Sequence, residues 1–225
     1  MLVWPDRQAL ILKTKNPEQI LNVVPSAKPF CVKGQPLVAI PHRTAETVML
    51  RNLGYDAPAP IRSYYDWPGR FTPFLAQKEA AAFLSINKRA FNLSELGTGK
   101  SLASLWAYDY LRSNGQLNKA LVISPLSTLE RTWADELFNH FPHLTFTVLH
   151  GSKDKRIKLL KEDFDVYIIN HDGIGIIEPH LKKRTDIDMV IVDEVAQCAR
   201  NAGTARWKAI NTVVNRHDIQ RGCWA

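Results

Sequence analysis

The chain has 225 residues, 29 Lys and Arg against 22 Asp and Glu, and a formal net charge of +7. Apolar residues make up 45%, which excludes a disordered or collagen-like chain and allows one large domain or a medium one with a small companion. No apolar run approaches the ~18 residues of a membrane helix, charges stand where a secretory signal needs an apolar core, and Cys31, Cys198 and Cys223 offer neither metal-ligand spacing nor a disulfide framework. The expected location is therefore intracellular, cytoplasmic or nucleoid-associated. The basic excess is spread out: eight Lys/Arg against five Asp/Glu over 1–69, and 21 against 17 over 70–225. Such a balance is compatible with nucleic acid but does not demand it.

Residues 9–14 (ALILKT) and 36–41 (PLVAIP) predict strands, and 30–39, with KGQP in the middle, predicts a hairpin. A short helix is expected over 17–24 and a better one over 43–53, ended by Gly54. Residues 1–60 thus read as a small α+β accessory unit, with nothing that looks catalytic. Four prolines and four aromatics in 57–73 (APAPIRSYYDWPGRFTP) break the periodicity, so 61–73 reads as a linker.

After it the pattern changes. Short apolar strands are expected at 90–93, 120–124, 145–149, 166–170 and 189–192, and helices near 74–86, 100–113, 127–140, 153–162, 173–182 and 204–215. This alternation predicts a parallel sheet with helices on both faces. ALVIS, VYIIN and MVIVD are near-continuous apolar runs, as strands covered on both faces should be. Ligands of such sheets sit beyond the carboxyl ends of the strands, so the loops near 94, 124, 150, 170 and 193 carry the interest.

The loop at 94 reads Ser94-Glu95-Leu96-Gly97-Thr98-Gly99-Lys100-Ser101. It follows a strand and opens a helix, the context of a phosphate-binding loop. Gly97 and Gly99 let backbone N–H groups converge on phosphate oxygens, aided by the helix start. Lys100 would reach the β- and γ-phosphates, and Ser101 would hold Mg²⁺ through its hydroxyl. The departure is Ser94, where the general pattern has Gly. At the second loop a buried strand runs straight into Asp193-Glu194. Unpaired carboxylates there are costly; Mg²⁺ held by Asp193 supplies a reason, and Glu194 would orient the attacking water. Together the loops predict a nucleoside triphosphatase site.

With these two motifs in place, the sequence resembles the first RecA-like lobe of a superfamily-2 helicase of the Swi/Snf type. Five segments carry the resemblance in the family's order: TPFLAQKEAAAFL, SELGTGKS, LVISPLSTLERTWADEL, VYIINHDGI and VIVDEVAQCARN. They cover about residues 72–225. The family's phosphate loop commonly lacks the first Gly, which accounts for Ser94. The resemblance implies a RecA-like lobe over 74–225 with ATP and Mg²⁺ as ligands and DNA, duplex or branched, as partner. It further implies an ATP site of Gln77, Leu96, Gly97, Thr98, Gly99, Lys100 and Ser101. Gln77 lies 23 residues before Lys100 and would read the adenine edge through its amide. Pro125, Ser127, Thr128, Arg131 and His171 would face nucleic acid. The bland alternatives are a helix cap for Ser127, a solvated face for Arg131, packing for Trp133 and a turn at His171-Asp172.

Two departures bear on mechanism. The family usually has His at the fourth place of the Asp-Glu box, and this chain has Ala196. The family's next motif, Ser/Thr-rich, would begin about where this chain ends, so 222–225 reads as a frayed strand. The second RecA-like lobe, with the arginines that complete the ATP site, lies outside the 225 residues, which alone are expected to be inactive. The alternatives are a non-catalytic nucleotide- or DNA-binding module and a P-loop NTPase that does not act on nucleic acid. The basic stretches 153–158 and 181–184 read as solvated helix faces.

Overall fold

The computed structural model describes residues 1–95, 97–199, 201–216 and 218–225. The chain forms two compact units, Met1–Asp66 and Trp67–Ala225.

In the first unit β1 (Leu2–Trp4), β2 (Ala9–Leu12), α1 (Pro17–Val23), β3 (Lys28–Val32), β4 (Gln35–Pro41), α2 (Thr44–Asn52) and α3 (Ile61–Tyr64) follow in order. The antiparallel sheet runs β1-β2-β4-β3. Lys33 and Gly34, with φ of 48° and 78°, join β3 to β4. Two successive positive φ values in a two-residue loop make the turn whose twist matches the strands. Leu10, Leu12, Val38 and Ile40 alternate along β2 and β4 and bury one sheet face with Ile20, Val24 and Leu50. Gly54 (φ 84°) ends α2, as expected.

The stretch 61–73, expected as a linker, is divided between the units. Ile61 in α3 is fully buried. His42 Nε2 donates to the Pro58 carbonyl at 2.8 Å and its Nδ1 accepts from the Tyr64 hydroxyl at 2.9 Å, tying the proline-rich stretch down. Within the second unit, the Trp106 indole donates to the Pro68 carbonyl at 2.8 Å. Aromatic burial, invisible to a composition reading, overrides the turn residues here.

The second unit continues with α4 (Leu75–Ile86), β5 (Arg89–Phe91), α5 (Lys100–Ser113), β6 (Lys119–Ser124), α6 (Asp135–His140), β7 (Phe146–Val148), α7 (Lys153–Lys161), β8 (Val166–Asn170), α8 (Ile174–Leu181), β9 (Ile187–Val192), α9 (Val195–Ala199), α10 (Ala205–Val214) and β10 (Arg221–Trp224). Six strands make one parallel sheet in the order β5-β10-β9-β6-β8-β7. Every residue of β8 and β9 is buried, as strands covered on both faces require. This is the α/β, RecA-like architecture. No helix among the described residues is long and apolar enough to cross a membrane.

Two expectations need correction. Residues 222–225 are not frayed. β10 lies between β5 and β9, pairing Cys223 with Ala90 on one side and Ile191 on the other. The strand order leaves a slot between β5 and β9, and only an inserted strand satisfies both sets of backbone groups. Residues 127–140 are not one α-helix either. A 3₁₀ turn over Leu126–Thr128 and a π-helical turn over Leu129–Ala134 precede α6. Leu129, Trp133, Leu137 and Phe141 are all buried at a spacing of four. That spacing overshoots an α-helical turn by about 0.4 residue each time. One wider turn absorbs the drift and keeps all four pointing inward.

Candidate functional site

The loop after β5 starts with an Asx turn. Asn92, 7% exposed, donates its N–H to the Trp224 carbonyl at 2.7 Å. Its side-chain oxygen accepts from the Ser94 N–H at 3.3 Å and the Ser94 hydroxyl at 2.7 Å. Ser94, the departure from the general pattern, is thus used to shape the loop. The Thr98 hydroxyl donates to the Glu95 carbonyl at 2.8 Å, closing the bend. Gly97 and Gly99 both have φ of +78°. A β-carbon on Gly99 would also meet Nε2 of Gln77 at 2.2 Å. Glycine is therefore favoured there by backbone conformation, and a β-carbon would in addition push aside the Gln77 amide. α5 begins directly at Lys100, so its first N–H groups open toward the loop. Lys100 and Ser101 are half-buried at this edge.

Gln77 is buried beneath the loop rather than projecting from it. Its side-chain oxygen accepts from the Phe74 N–H at 2.9 Å, capping α4, and its Nε2 donates to the Thr98 carbonyl at 3.3 Å. The amide thus ties the start of α4 to the glycine turn. Leu96, also expected in the loop, lies outside the described residues.

Asp193 and Glu194 follow β9, one strand removed from β5, with β10 between them. Asp193 is 7% exposed. Its N–H donates to the Ile123 carbonyl at 2.8 Å. Its Oδ2 accepts from the Trp133 indole at 3.0 Å, and its carbonyl accepts from Nε2 of His171 at 2.9 Å. Burial pushes the Asp193 carboxyl up; the Trp133 hydrogen bond opposes this, Glu194 adds to it, and the Lys100 ammonium pulls it down. The Trp224 carbonyl accepts from Asn92 at the start of one loop and the Ala225 carbonyl from Val195 at the other, which brings the two motifs to one sheet edge. Burial pushes His171 down, against the pull of its bond to Asp193. The imidazole is then neutral and carries its proton on Nε2, where the carbonyl accepts it.

Glu194 has φ of +50°. A side chain in the left-handed region costs about 1–2 kcal/mol. The flanking backbone holds it there: Val195 N–H donates to the Ala225 carbonyl at 3.0 Å and Ala225 N–H to the Val192 carbonyl at 2.8 Å. Such strain persists where surrounding structure over-determines it, and it clusters at functional sites. Ala225, directly after β10, thereby buttresses the acidic pair.

The segment after β6 presents Ser127 and Arg131 to solvent, with Pro125 and Thr128 half-buried. Ser127 is not a helix cap. The Thr128 N–H and hydroxyl both reach the Pro125 carbonyl, each at 3.1 Å. Trp133 packs as expected, fully buried, but its indole bond to Asp193 was not foreseen. A buried Trp N–H needs an acceptor, and that is the one signal that could have found it. His171 requires a correction: it is 4% exposed and supports Asp193 from inside, so it does not face a nucleic acid. Its neighbour Asp172 pairs with Arg206, whose Nε donates at 2.8 Å. Of the basic stretch 153–158, Arg156 turns inward, donating to the Gly151 carbonyl at 3.0 Å and the Asn170 side chain at 2.8 Å.

Four similarities to known proteins bear on this arrangement. The chain is 34% identical over 106 residues to the ISWI chromatin-remodeling complex ATPase ISW2 of Saccharomyces cerevisiae, which spans 44% of this chain and 9% of that one. It is 30% identical over 128 residues to the putative protein p41 of Acyrthosiphon pisum secondary endosymbiont phage 1, covering 55% of this chain and 28% of the relative. The chain thus spans well under a third of either. The SWI2/SNF2 ATPase core of Sulfolobus solfataricus in complex with dsDNA shares the fold, with a TM-score of 0.57 at 20% identity over 71% of this chain and 33% of that one. The model of the SNF2-related domain matches residues 77–219, more than half of the chain, which therefore belongs to the SNF2-related family.

Proposed function

We propose that this chain is the ATP-binding first lobe of a DNA-dependent ATPase that moves on or remodels DNA. The observation that carries the reading is the meeting of two loops at the carboxyl edge of one parallel sheet: the glycine turn opening α5 at Lys100, and the acidic pair after β9, both hydrogen-bonded to the end of the chain at Trp224 and Ala225. Backbone N–H groups of Gly97 to Ser101 and the Lys100 ammonium bind the triphosphate. The Ser101 hydroxyl and Asp193 carboxylate, hard oxygen donors at the carboxyl edge of one parallel sheet, suit Mg²⁺. That ion, when bound, neutralises charge on the phosphate oxygens. The Trp133 indole fixes the orientation of the Asp193 carboxylate that would hold the ion. Glu194, set by its strained backbone, orients the attacking water and takes its proton. Gln77 braces Thr98 from below, and the second N–H and second lone pair of its amide are the groups an adenine edge would meet.

DNA binding is assigned to the exposed start of the segment after β6. The Ser127 hydroxyl and Arg131 guanidinium would meet a phosphate backbone, with Pro125 and Thr128 shaping the turn. Arg131 and Trp133 lie on the same wide turn, Leu129–Ala134, so a DNA contact at Arg131 and the support of Asp193 share one element. Complete turnover is assigned to a protein with the second lobe, whose arginine is worth on the order of 10³–10⁵ in rate in related phosphoryl-transfer sites.

Calorimetric titration with Mg-ATP tests the site. Saturable binding by the wild type and none by folded Lys100→Ala is the expected result; equal affinity in both removes the phosphate-loop assignment. In the two-lobed protein Glu194→Gln should bind ATP without hydrolysing it. ATPase activity indifferent to DNA at low salt would sink the motor reading.

A further inference from the structure

The first unit carries a surface with no part in nucleotide chemistry. One face of its sheet is closed by α1 and α2. Strand register sets Trp4, Ala9 and Pro41 in one row across the other face, and places Lys28 and Phe30 on that face opposite Ala39 and Leu37. Trp4 is 44% exposed. The Arg7 guanidinium lies over its ring, 6.0 Å from the centroid. Beside it is a cleft of about 310 Å³, floored by Ala9, Ala39 and Pro41 and bordered by Arg7, Lys28 and Arg43.

We propose that this open face binds single-stranded nucleic acid, with unstacked bases against Trp4 and Phe30 and backbone phosphates on Arg7, Lys28 and Arg43. Charge selects the occupant. Three cations border the cleft, and none of its described lining residues is acidic. Glu46, behind it, is 7% exposed and accepts the Ser26 hydroxyl at 2.9 Å. Size selects it further: the cavity is at the small end of ligand sites and admits a base or nucleotide, not a duplex. The floor is small and apolar, leaving room for a ring. Trp4 and Phe30 lie roughly 20 Å apart by strand geometry, a span of several nucleotides. Aromatic platforms flanked by cations are how unpaired strands are held without sequence preference, because every base offers a π-face. A protein-binding apolar face would not need three cations around a base-sized recess.

Fluorescence anisotropy of the 225-residue chain tests this, with labelled 15-residue oligo(dT), oligo(U) and a duplex of equal length. Lys28→Ala combined with Arg43→Ala should weaken single-strand binding at least tenfold. The salt slope should fall by about 1.4, for two phosphate contacts on a single strand. Trp4→Ala should cost about tenfold and Trp4→Phe less than twofold, because a phenyl ring still stacks. Duplex affinity should stay within twofold throughout. Unchanged single-strand affinity in the double variant overturns the proposal. So does Trp4→Phe as damaging as Trp4→Ala, or an equal loss of duplex binding. Ultraviolet crosslinking of the wild type to oligo(dT) covers the case of a variant that fails to fold: crosslinks to peptides from 2–43 support the site, and crosslinks confined to 67–225 refute it.

Discussion

Trp133→Phe isolates the bond that joins the acidic pair to the segment after β6. The substitution keeps an aromatic ring in a fully buried position and deletes the donor to Oδ2 of Asp193, 3.0 Å away. Leaving a buried carboxylate oxygen unpaired costs about 1.5–3 kcal/mol, and the smaller ring leaves a void worth about 1 kcal/mol. A destabilisation of about 3 kcal/mol is expected, within the ~5–15 kcal/mol of a typical domain, so the variant should fold. Urea unfolding measures it. A double-mutant cycle with Asp193→Asn separates the bond from the void: the neutral amide accepts more weakly, so Trp133→Phe should cost about 1 kcal/mol less in that background. Nucleotide binding supplies the functional half. With Asp193 no longer oriented, affinity in Mg²⁺ should fall about tenfold while affinity in EDTA is unchanged. A cost below about 0.5 kcal/mol, or equal cost in both backgrounds, refutes the claim that the indole supports this carboxylate. Equal loss of affinity with and without Mg²⁺ refutes the positioning role.

Gly99→Ala should lower stability by about 1–2 kcal/mol and abolish Mg-ATP binding, since the new β-carbon meets a positive φ and the Gln77 amide together; wild-type affinity by calorimetry would remove both constraints. Thiol titration at pH 8 should find one fast group, the exposed Cys31, and two more only after unfolding. Cys198 and Cys223 are buried, and burial pushes the Cys223 thiol up to about 11; rapid reaction at Cys223 would mean that β10 is not seated in the sheet. The Arg184 guanidinium first, against the cost of burial, and then Lys119 hold the Asp186 carboxyl well below the usual range. A depressed carboxyl stabilises the fold above its unfolded value and loses that contribution as pH falls through its folded one. Acidification below about pH 4 should therefore destabilise wild type more than Asp186→Asn. After solvent screening of this partly exposed pair the difference is about 1 kcal/mol. Identical acid transitions by circular dichroism would discount the pair.

The local codes of this chain were legible in its sequence because they depend on neighbours along the chain. A glycine turn between a strand and a helix specifies its own backbone shape, so the loop at 94–101 could be read from residue type and spacing. The apolar runs before Ser124, Asn170 and Asp193 identify strands covered on both faces, because such strands have no solvent side to alternate toward. Long-range pairings were not legible. The place of β10 between β5 and β9 depends on a slot left by distant strands, and four residues at 221–224 show nothing of it. His171 and Asp172 looked equivalent as strand-end polar residues; folding turned one inward onto Asp193 and the other outward onto Arg206. Gln77 was legible as a loop-side amide, but its bonds to the Phe74 N–H and the Thr98 carbonyl were not. Trp133 looked like core. Its partner lies sixty residues away, and only the closed sheet brings the indole to the carboxylate that it supports.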